Sequence, residues 1–353
     1  MHIMSVLRKD PLTHGWVIFD EKRFQPPGDH ATAVHFAVMR DCPFCEGNEA
    51  MTPSEIHSVR PAGGHRDGPG WTVRTIPNQS AVLNIEGKFD RRGEGLYDVM
   101  NGIGAHEVVI ETPHHDGQMP DYPEPHMTAY LTTLRDRAAD LLNDARFRYI
   151  QIFKNHGGSA GATMPHPHSQ IVALPILPRW VREQLDHTYE YYLLKERCLI
   201  CDIISQELAS GARVVYENDH FTALTPFASK FPFETWIYPK EHAPYFHTTP
   251  DNMMPDLADC LTTTLKAFNR AISHPPYNLI FHSAPRNPER AYHSDTRAKV
   301  TDHFHWHIEL IPRATKVAGF EYGTGFYINN VLPESAAEYL RQVISSGRTP
   351  TQA

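Results

Sequence analysis

The stretch His166-Pro-His168-Ser-Gln170 returns near the end of the chain as His305-Trp-His307-Ile-Glu309. In an extended strand alternate side chains share a face, so each run is expected to direct its three polar groups one way before the sequence continues into apolar residues. Only the first copy follows a glycine-rich run, Asn155-His-Gly-Gly-Ser-Ala-Gly-Ala-Thr-Met164. The repeat therefore predicts one chemically active copy and one copy that serves the structure.

A similar order of parts surrounds each copy, and this order indicates an internal duplication. Each half starts at a cysteine pair and continues through an apolar strand that ends in a histidine, a helix, a second strand and the His-x-His strand. The helices are predicted at about 126–145 and 252–272, where apolar residues recur every three or four positions. Because antiparallel strands with a helix laid across them form an α+β unit, we predict two α+β domains, residues 1–180 and 181–353.

Four of the five cysteines lie in two pairs with the spacing Cys-x-x-Cys. In a reducing compartment such pairs hold a metal ion more often than they form disulfides. Each pair is followed by the strand-end histidine and the first histidine of a His-x-His strand, a donor set that suits structural, tetrahedral zinc. The predicted ligands are Cys42, Cys45, His115 and His166 in the first half, and Cys198, Cys201, His242 and His305 in the second.

Three alternatives stay open for these sites, for which we expect two zinc ions per chain. His114 neighbours His115 and can take its place. In the second half, His282, His307 and Glu309 form a competing set of harder ligands. The identity of the second metal, zinc or iron, also stays open. The thiols and imidazoles can also be ordinary side chains that never meet.

His168 is left free for chemistry if His166 holds a metal ion. The glycines before it allow backbone N–H groups to approach an anion closely. A neutral imidazole is a competent nucleophile toward phosphorus, so the predicted intermediate is a nucleotidyl-histidine.

Gln170 indicates which leaving groups this chemistry suits. Its amide can donate a hydrogen bond to a phosphoryl oxygen but cannot supply the proton that a poor leaving group needs. This favours exchange between phosphorylated partners. The alternative is that His168 and Gln170 are only satisfied polar residues on a half-exposed strand.

Composition restricts the class of protein. The chain has 353 residues and a formal net charge of -8, whereas a general nucleic-acid binder usually carries a basic face. No apolar run has membrane-spanning length, and no basic segment with a long apolar stretch stands at the start. We therefore expect a soluble cytoplasmic protein that binds neither nucleic acid nor a membrane and that holds an anionic substrate by local donors.

At these residues the sequence resembles the galactose-1-phosphate uridylyltransferase branch of the histidine-triad superfamily. The similarity runs from Leu7-Arg-Lys-Asp-Pro-Leu-Thr13 to Gly319-Phe-Glu-Tyr-Gly-Thr-Gly325, nearly the whole chain. The resemblance implies two histidine-triad-like domains, a homodimer, and ping-pong transfer of a nucleoside monophosphate through His168. It also implies zinc at the first cysteine–histidine set.

Several other residues match family positions that contact the substrates. Asn155 matches an asparagine near the phosphate, Asn78 one that meets the nucleoside, and Arg23 the first of two arginines near the N-terminus. The expected contacts of the α-phosphate are Gly161, Ala162 and Thr163. The expected contacts of the sugar phosphate, often made across the dimer interface, are Lys316, Phe320 and Glu321.

The sequence departs from the uridylyltransferase pattern in several places. The family typically reads His-Pro-His-Gly-Gln, whereas Ser169 replaces the glycine here, and the second N-terminal arginine falls on Pro26. The second cysteine pair and the ending at 319–330 look more like the ADP-glucose phosphorylase relatives.

The predicted function is nucleotidyl transfer between a sugar nucleotide and a sugar 1-phosphate or phosphate. The first choice of substrates is UDP-glucose with a hexose 1-phosphate such as galactose 1-phosphate. The alternative is adenylyl transfer from ADP-glucose to phosphate. Gln170 disfavours a nucleotide-conjugate hydrolase, and the remaining alternative is a non-catalytic nucleotide-binding protein.

Overall fold

The computed structural model describes residues 5–20, 41–286 and 298–347, which form an α+β fold. The strands are β1 Val6–Lys9, β2 Trp16–Phe19, β3 His57–Val59, β4 Val73–Pro77, β5 Arg92–Glu94, β6 Tyr97–Val99, β7 Ala105–Ile110, β8 Tyr149–His156, β9 His168–Leu174, β10 Val214–Glu217, β11 Phe221–Leu224, β12 Thr235–Pro239, β13 Tyr277–His282, β14 His307–Pro312 and β15 Tyr327–Asn329. The α-helices are α1 Glu124–Leu141, α2 Arg179–Lys195, α3 Leu199–Ser210, α4 Met254–Ala271, α5 Val300–His303, α6 Gly319–Thr324 and α7 Pro333–Ser346. None of the helices in these ranges combines the length and the apolar composition needed to cross a bilayer.

One large sheet contains ten strands in the order β3-β4-β7-β9-β8-β13-β14-β12-β11-β10. The first half of the chain supplies the first five strands and the second half supplies the other five, in corresponding order from each outer edge to the centre. The two halves join where β8 pairs antiparallel with β13, with Tyr277 opposite His156 and Phe281 opposite Ile152. This arrangement is consistent with internal duplication.

Two long helices, α1 and α4, share a core on one face of this sheet. Leu131 and Leu134 of α1 and Leu261 and Leu265 of α4 are at most 1% exposed. Burying such a side chain stabilises the fold by about 1.5–3 kcal/mol relative to leaving it exposed. These leucines belong to one apolar core that extends across both halves. The predicted domain boundary at residue 180 falls in the first turn of α2 and stays a prediction.

On the opposite face of the sheet, α3 and the loop between β1 and β2 pack against β11 and β12 of the second half. Leu12 and Ile204 pack there against Trp236 and Tyr238 of β12. Since Trp236 pairs with Glu309 and Glu309 with Ile280, the register places Glu309 and His307 on this same face.

The observed long helices agree with the predicted ones within a few residues. Both α1 and α4 carry a proline in the first turn, where a missing N–H costs no hydrogen bond. α1 ends at Leu141, before the predicted end, because the chain enters a turn in which the Asn143 N–H donates to the Asp140 carbonyl oxygen.

The His-x-His strands start later than predicted. β9 begins at His168 and β14 at His307, so His166 and His305 precede the strands. In the first copy Pro167, directly before β9, has no N–H for a ladder hydrogen bond, as Pro165 also lacks one, and strands rarely extend through such positions. The first histidine of each copy therefore lies outside the strand in which the sequence pattern placed it.

The shared sheet and core lead to a prediction about unfolding. Because α1–α4 packing and β8–β13 pairing cross between the halves, we expect the whole chain to unfold in one cooperative transition. Urea unfolding in zinc-containing buffer, followed by far-ultraviolet circular dichroism and by tryptophan fluorescence, should give coincident curves. Two well-separated transitions would contradict this prediction and would show halves that are stable independently.

Candidate active site and metal centres

The first cysteine–histidine set meets at one point beside the end of β7. Cys42, Cys45, His115 and His166 each offer one ligand atom, and these atoms lie within 4.8 Å of one another. Cys42 Sγ is 3.6 Å and Cys45 Sγ 3.6 Å from His166 Nδ1, and Cys45 Sγ is 3.5 Å from His115 Nδ1. His166 Nε2 donates to the Thr112 carbonyl oxygen at 2.8 Å, which leaves the Nδ1 lone pair for a metal ion. His114 is exposed and is not part of the group.

The second cysteine–histidine set has the same design. Cys198, Cys201, His242 and His305 bring their ligand atoms within 4.8 Å of one another. Cys201 Sγ lies 3.3 Å from His242 Nδ1 and 3.4 Å from His305 Nδ1. Each imidazole again donates through Nε2 to a backbone carbonyl, of Thr301 at 2.8 Å and of Pro239 at 3.0 Å. Both sets can hold a metal ion.

The competing ligands of the second half form a separate third group. His282, His307 and Glu309 also have ligand atoms within 4.8 Å of one another. The rings of His282 and His307 stack with centroids 4.7 Å apart, and their Nε2 atoms lie 3.3 Å and 4.0 Å from Glu309 Oε1. This third group shares no residue with the second cysteine–histidine group.

His168 occupies the first position of β9 and is only 9% exposed. Its Nδ1 donates to the His166 carbonyl oxygen at 2.8 Å, so the lone pair of the neutral ring resides on Nε2. Burial lowers the pKa of the His168 imidazole below its usual value, and the positive charge of Lys154 acts in the same direction. The arrangement can present a neutral nitrogen nucleophile.

Gln170 lies two residues further along β9, on the same face as His168. The Val82 N–H donates to His106 Nδ1 at 3.3 Å, so His106 Nε2 carries the ring hydrogen and donates to Gln170 Oε1 at 2.8 Å. This leaves the NH₂ group of Gln170 free to donate elsewhere. Asn78 Nδ2 lies 3.0 Å from the same His106 Nε2, but both groups are donors when Nε2 carries the ring hydrogen, so this close contact is not a hydrogen bond. The sequence did not indicate His106 as a site residue, because its role depends on a cross-strand contact between β7 and β9.

A tight turn at residues 157–161, termed here the glycine turn, lies beside Asn155. Gly157 and Gly161 have φ angles of 81° and 92°, in the region that favours glycine. A Cβ atom on Gly157 would lie 2.9 Å from Pro276 of the second half, too close for another residue. The β8–β9 register, with Phe153 opposite Gln170, brings Asn155 level with His168. Asn155 therefore neighbours the candidate nucleophile. The expected phosphate contacts come shortly after it in the sequence, at Gly161, Ala162 and Thr163.

Ser169 lies on the opposite face of β9, toward α1. Its hydroxyl donates to Glu111 Oε1 at 2.6 Å and accepts from the Tyr130 hydroxyl at 2.7 Å. Lys154 Nζ donates to the same Glu111 oxygen at 2.8 Å and lies 3.4 Å from the His168 carbonyl oxygen. Ser169, which departs from the uridylyltransferase pattern, thus anchors β9 through hydrogen bonds on the face opposite to His168. Sequence reasoning missed this network because its members come from β7, β8, β9 and α1.

The remaining predicted residues lie elsewhere. Arg23 falls outside the described residues. Lys316 precedes α6, and Phe320 and Glu321 lie on it, with the Glu321 carboxylate accepting from the Ala318 N–H at 2.9 Å. α6 contacts β15 of the small sheet. The structure of one chain therefore associates these three residues with the second half.

Comparison with known proteins relates this geometry to a family. The galactose-1-phosphate uridyl transferase C-terminal domain matches residues 184–348, and the N-terminal domain of a family of unknown function, DUF4931, matches residues 82–177. The ADP-glucose phosphorylase of Arabidopsis thaliana is 35% identical over 346 residues, 96% of this chain and 92% of that protein. The galactose-1-phosphate uridylyltransferase of Thermotoga maritima is 30% identical over 347 residues, 96% of this chain and 98% of that protein. The chain belongs to the galactose-1-phosphate uridylyltransferase family.

A solved structure confirms the fold of this family member. The crystal structure of the Arabidopsis thaliana ADP-glucose phosphorylase with bound ADP-glucose matches it with a TM-score of 0.80 and 34% identity, over 96% of this chain and 99% of that chain. The predicted α+β fold and the predicted nucleotidyltransferase class of enzyme are both confirmed.

The network behind β9 yields a prediction for stability. Lys154 and Glu111 have side chains that are 3% and 0% exposed, so removing one charge leaves the other buried without a counter-charge. We expect Lys154→Met to lower the free energy of unfolding by about 3–5 kcal/mol. The double variant Lys154→Met/Glu111→Gln should recover much of that loss, because no unpaired charge remains.

Urea unfolding of these variants is the measurement, with exposed Lys266 as the matched control. Lys266→Met should change the free energy of unfolding by no more than about 0.5 kcal/mol. A Lys154→Met protein as stable as the wild type would show that the pair is not buried as described.

Proposed function

We propose that this family member transfers a nucleoside monophosphate from a sugar nucleotide to a phosphate-type acceptor through a nucleotidyl-His168 intermediate. His168 Nε2 attacks the α-phosphorus, the N–P bond forms, and the P–O bond to the sugar 1-phosphate breaks. The acceptor phosphate oxygen then attacks the same phosphorus and releases His168. The observation that carries this proposal is the Nδ1–H hydrogen bond to the His166 carbonyl oxygen, which keeps the lone pair on Nε2.

The surrounding donors suit this reaction. The free NH₂ group of Gln170 can donate to a phosphoryl oxygen of the intermediate, where charge develops during each attack. The leaving sugar phosphate has a second pKa of about 6 and needs no proton donor. An amide at position 170 therefore matches exchange between phosphates better than hydrolysis.

The substrate contacts follow the resemblance. We assign the α-phosphate to Asn155 and the following turn, and the nucleoside to Asn78, which already neighbours His106. Arg23 is proposed to contact the substrate. The segment with Lys316, Phe320 and Glu321 is proposed to meet the sugar phosphate from the partner subunit of a homodimer. The N-terminal domain, 1–180, then carries the nucleophile, and the C-terminal domain, 181–353, supports it.

Two pairs of nucleotide donor and phosphate acceptor fit this reaction. Uridylyl transfer between UDP-glucose and a hexose 1-phosphate is supported by the Thermotoga maritima relative. Adenylyl transfer from ADP-glucose to phosphate is favoured by the higher identity to the Arabidopsis thaliana enzyme, 35% against 30%. The second cysteine–histidine group also supports this second candidate.

The experiment is incubation with UDP-glucose or ADP-glucose that carries a radiolabelled α-phosphate. Acid-labile, base-stable label should appear on the protein from one of the two donors, which identifies the base. His168→Gly should abolish the label and Asn218→Ala, a change at a distant turn, should not. Label on the His168→Gly protein would place the nucleophile elsewhere, and no label from either donor would refute the covalent intermediate.

We further propose zinc at both cysteine–histidine groups, where it anchors His166 two residues from the nucleophile. Tetrahedral zinc with Zn–S near 2.3 Å and Zn–N near 2.0–2.1 Å separates a sulfur from a nitrogen ligand by about 3.5–3.6 Å. The observed separations of 3.5–3.6 Å in the first group fit this geometry. The thiolate ligands need a reducing compartment, which supports a cytoplasmic location.

Metal analysis of the purified protein should return about two zinc ions per chain, one for each four-ligand group. Cys42→Ser and Cys198→Ser should each lose one ion, since a site with three remaining ligands binds zinc more weakly. A folded, active sample without zinc would defeat this assignment. Iron retained after Cys198→Ser would instead place the second metal at His282, His307 and Glu309.

A further inference from the structure

Asn278, on β13 of the second half, contacts both parts of the candidate phosphate site in the first half. It lies directly opposite Asn155 in the β8–β13 ladder. Its Nδ2 donates to Asn155 Oδ1 at 2.8 Å and to the Ala160 carbonyl oxygen at 2.8 Å. One amide group of the second half therefore links the strand-end asparagine to the glycine turn.

These contacts determine which way the Asn155 amide points. The Ala160 carbonyl oxygen can only accept a hydrogen bond, so Asn278 must direct its NH₂ group toward it. The same NH₂ group also donates to Asn155, so the Asn155 atom that faces Asn278 must be its side-chain oxygen. The NH₂ group of Asn155 is then turned toward Gly161, where a Cβ atom would lie 3.6 Å from Asn155 Nδ2.

The orientation matters because a phosphoryl oxygen accepts hydrogen bonds. An Asn155 amide with its NH₂ group forward can donate to that oxygen, whereas a flipped amide would present its own oxygen and repel the anion. A donor set in advance costs no reorganisation when charge develops on the phosphoryl group. Without Asn278, the Asn155 amide loses the hydrogen bond that distinguishes its two orientations.

We propose that Asn278 is a positioning residue for nucleotidyl transfer: it holds the Asn155 amide and the glycine turn so that both present N–H donors to the α-phosphate. This inference rests on the proposed function of His168 and Asn155. It gives the second half a direct role in the active site, although that half lacks its own glycine-rich run.

The test is a double-mutant cycle over Asn155→Ala and Asn278→Ala. The rate of label transfer from ADP-glucose and from UDP-glucose is measured by rapid quench, and the affinity for AMP and for UMP by calorimetry. Asn278→Ala should lower kcat/KM about tenfold to a hundredfold, with the loss mainly in kcat. In the Asn155→Ala background the same change should cost little more, because Asn278 acts through Asn155. Asn278→Asp, which cannot donate, should be at least as impaired as Asn278→Ala.

The matched control is Asn218→Ala. Asn218 is also half-buried, and its Nδ2 donates to the Asp256 carbonyl oxygen at 2.8 Å and to Asp259 Oδ2 at 3.0 Å, away from β8 and β9. This variant should keep the wild-type kcat/KM, so a loss specific to Asn278 cannot be ascribed to general loosening.

The outcomes separate this inference from the proposed function. Wild-type kcat/KM for Asn278→Ala, or losses at Asn155 and Asn278 that simply add, would overturn the positioning role even if His168 takes up label. If the wild-type protein takes up no label, the proposed function fails, and the cycle on mononucleotide affinity still decides. Coupled losses of AMP or UMP affinity would support the role of Asn278, whereas additive losses, or no measurable binding of either mononucleotide, would refute it.

Discussion

The antiparallel pairing of β8 with β13 is the constraint on which the rest of the structure depends. It joins two five-strand units into one sheet and lets α1 and α4 share a single core. The same ladder carries Asn155 and Asn278 as a directly opposed pair. A duplicated chain with independent halves would lack this contact, so the active copy would have lost part of its support.

The side chains of the candidate active site are oriented by backbone groups, because a carbonyl oxygen can only accept and an N–H can only donate a hydrogen bond. The His166 carbonyl determines the tautomer of His168, the Val82 N–H that of His106, and the Ala160 carbonyl the direction of the Asn278 amide. Each of these backbone groups therefore determines which atom of the neighbouring side chain can donate or accept a hydrogen bond. Such a site needs little rearrangement when charge develops on phosphorus, which is how preorganised donors accelerate phosphoryl chemistry.

Alternation along β9 separates chemistry from support. His168 and Gln170 face the candidate substrate side, while Ser169 faces α1 and joins the buried Glu111–Lys154 pair. The difference from the glycine of the uridylyltransferase pattern therefore concerns how the strand is held. It carries no direct information about the base, because the Ser169 side chain lies on the far side of the sheet.

The sequence by itself determined the order of parts, the fold class, both four-ligand sets and the candidate nucleophile, because these depend on local spacing and on residue chemistry. Helix periodicity placed α1 and α4 within a few residues, whereas the prolines beside His166 shifted the start of β9. Only the tertiary structure decided that the halves form one sheet, that His114 stays outside the metal group, and that His282, His307 and Glu309 are separate from the cysteines. It alone also brought His106 to Gln170, Glu111 and Lys154 to Ser169, and Asn278 to Asn155. The physical reason is that strand pairing joins positions far apart in the chain, and a single sequence carries no signal for which distant residues will lie side by side.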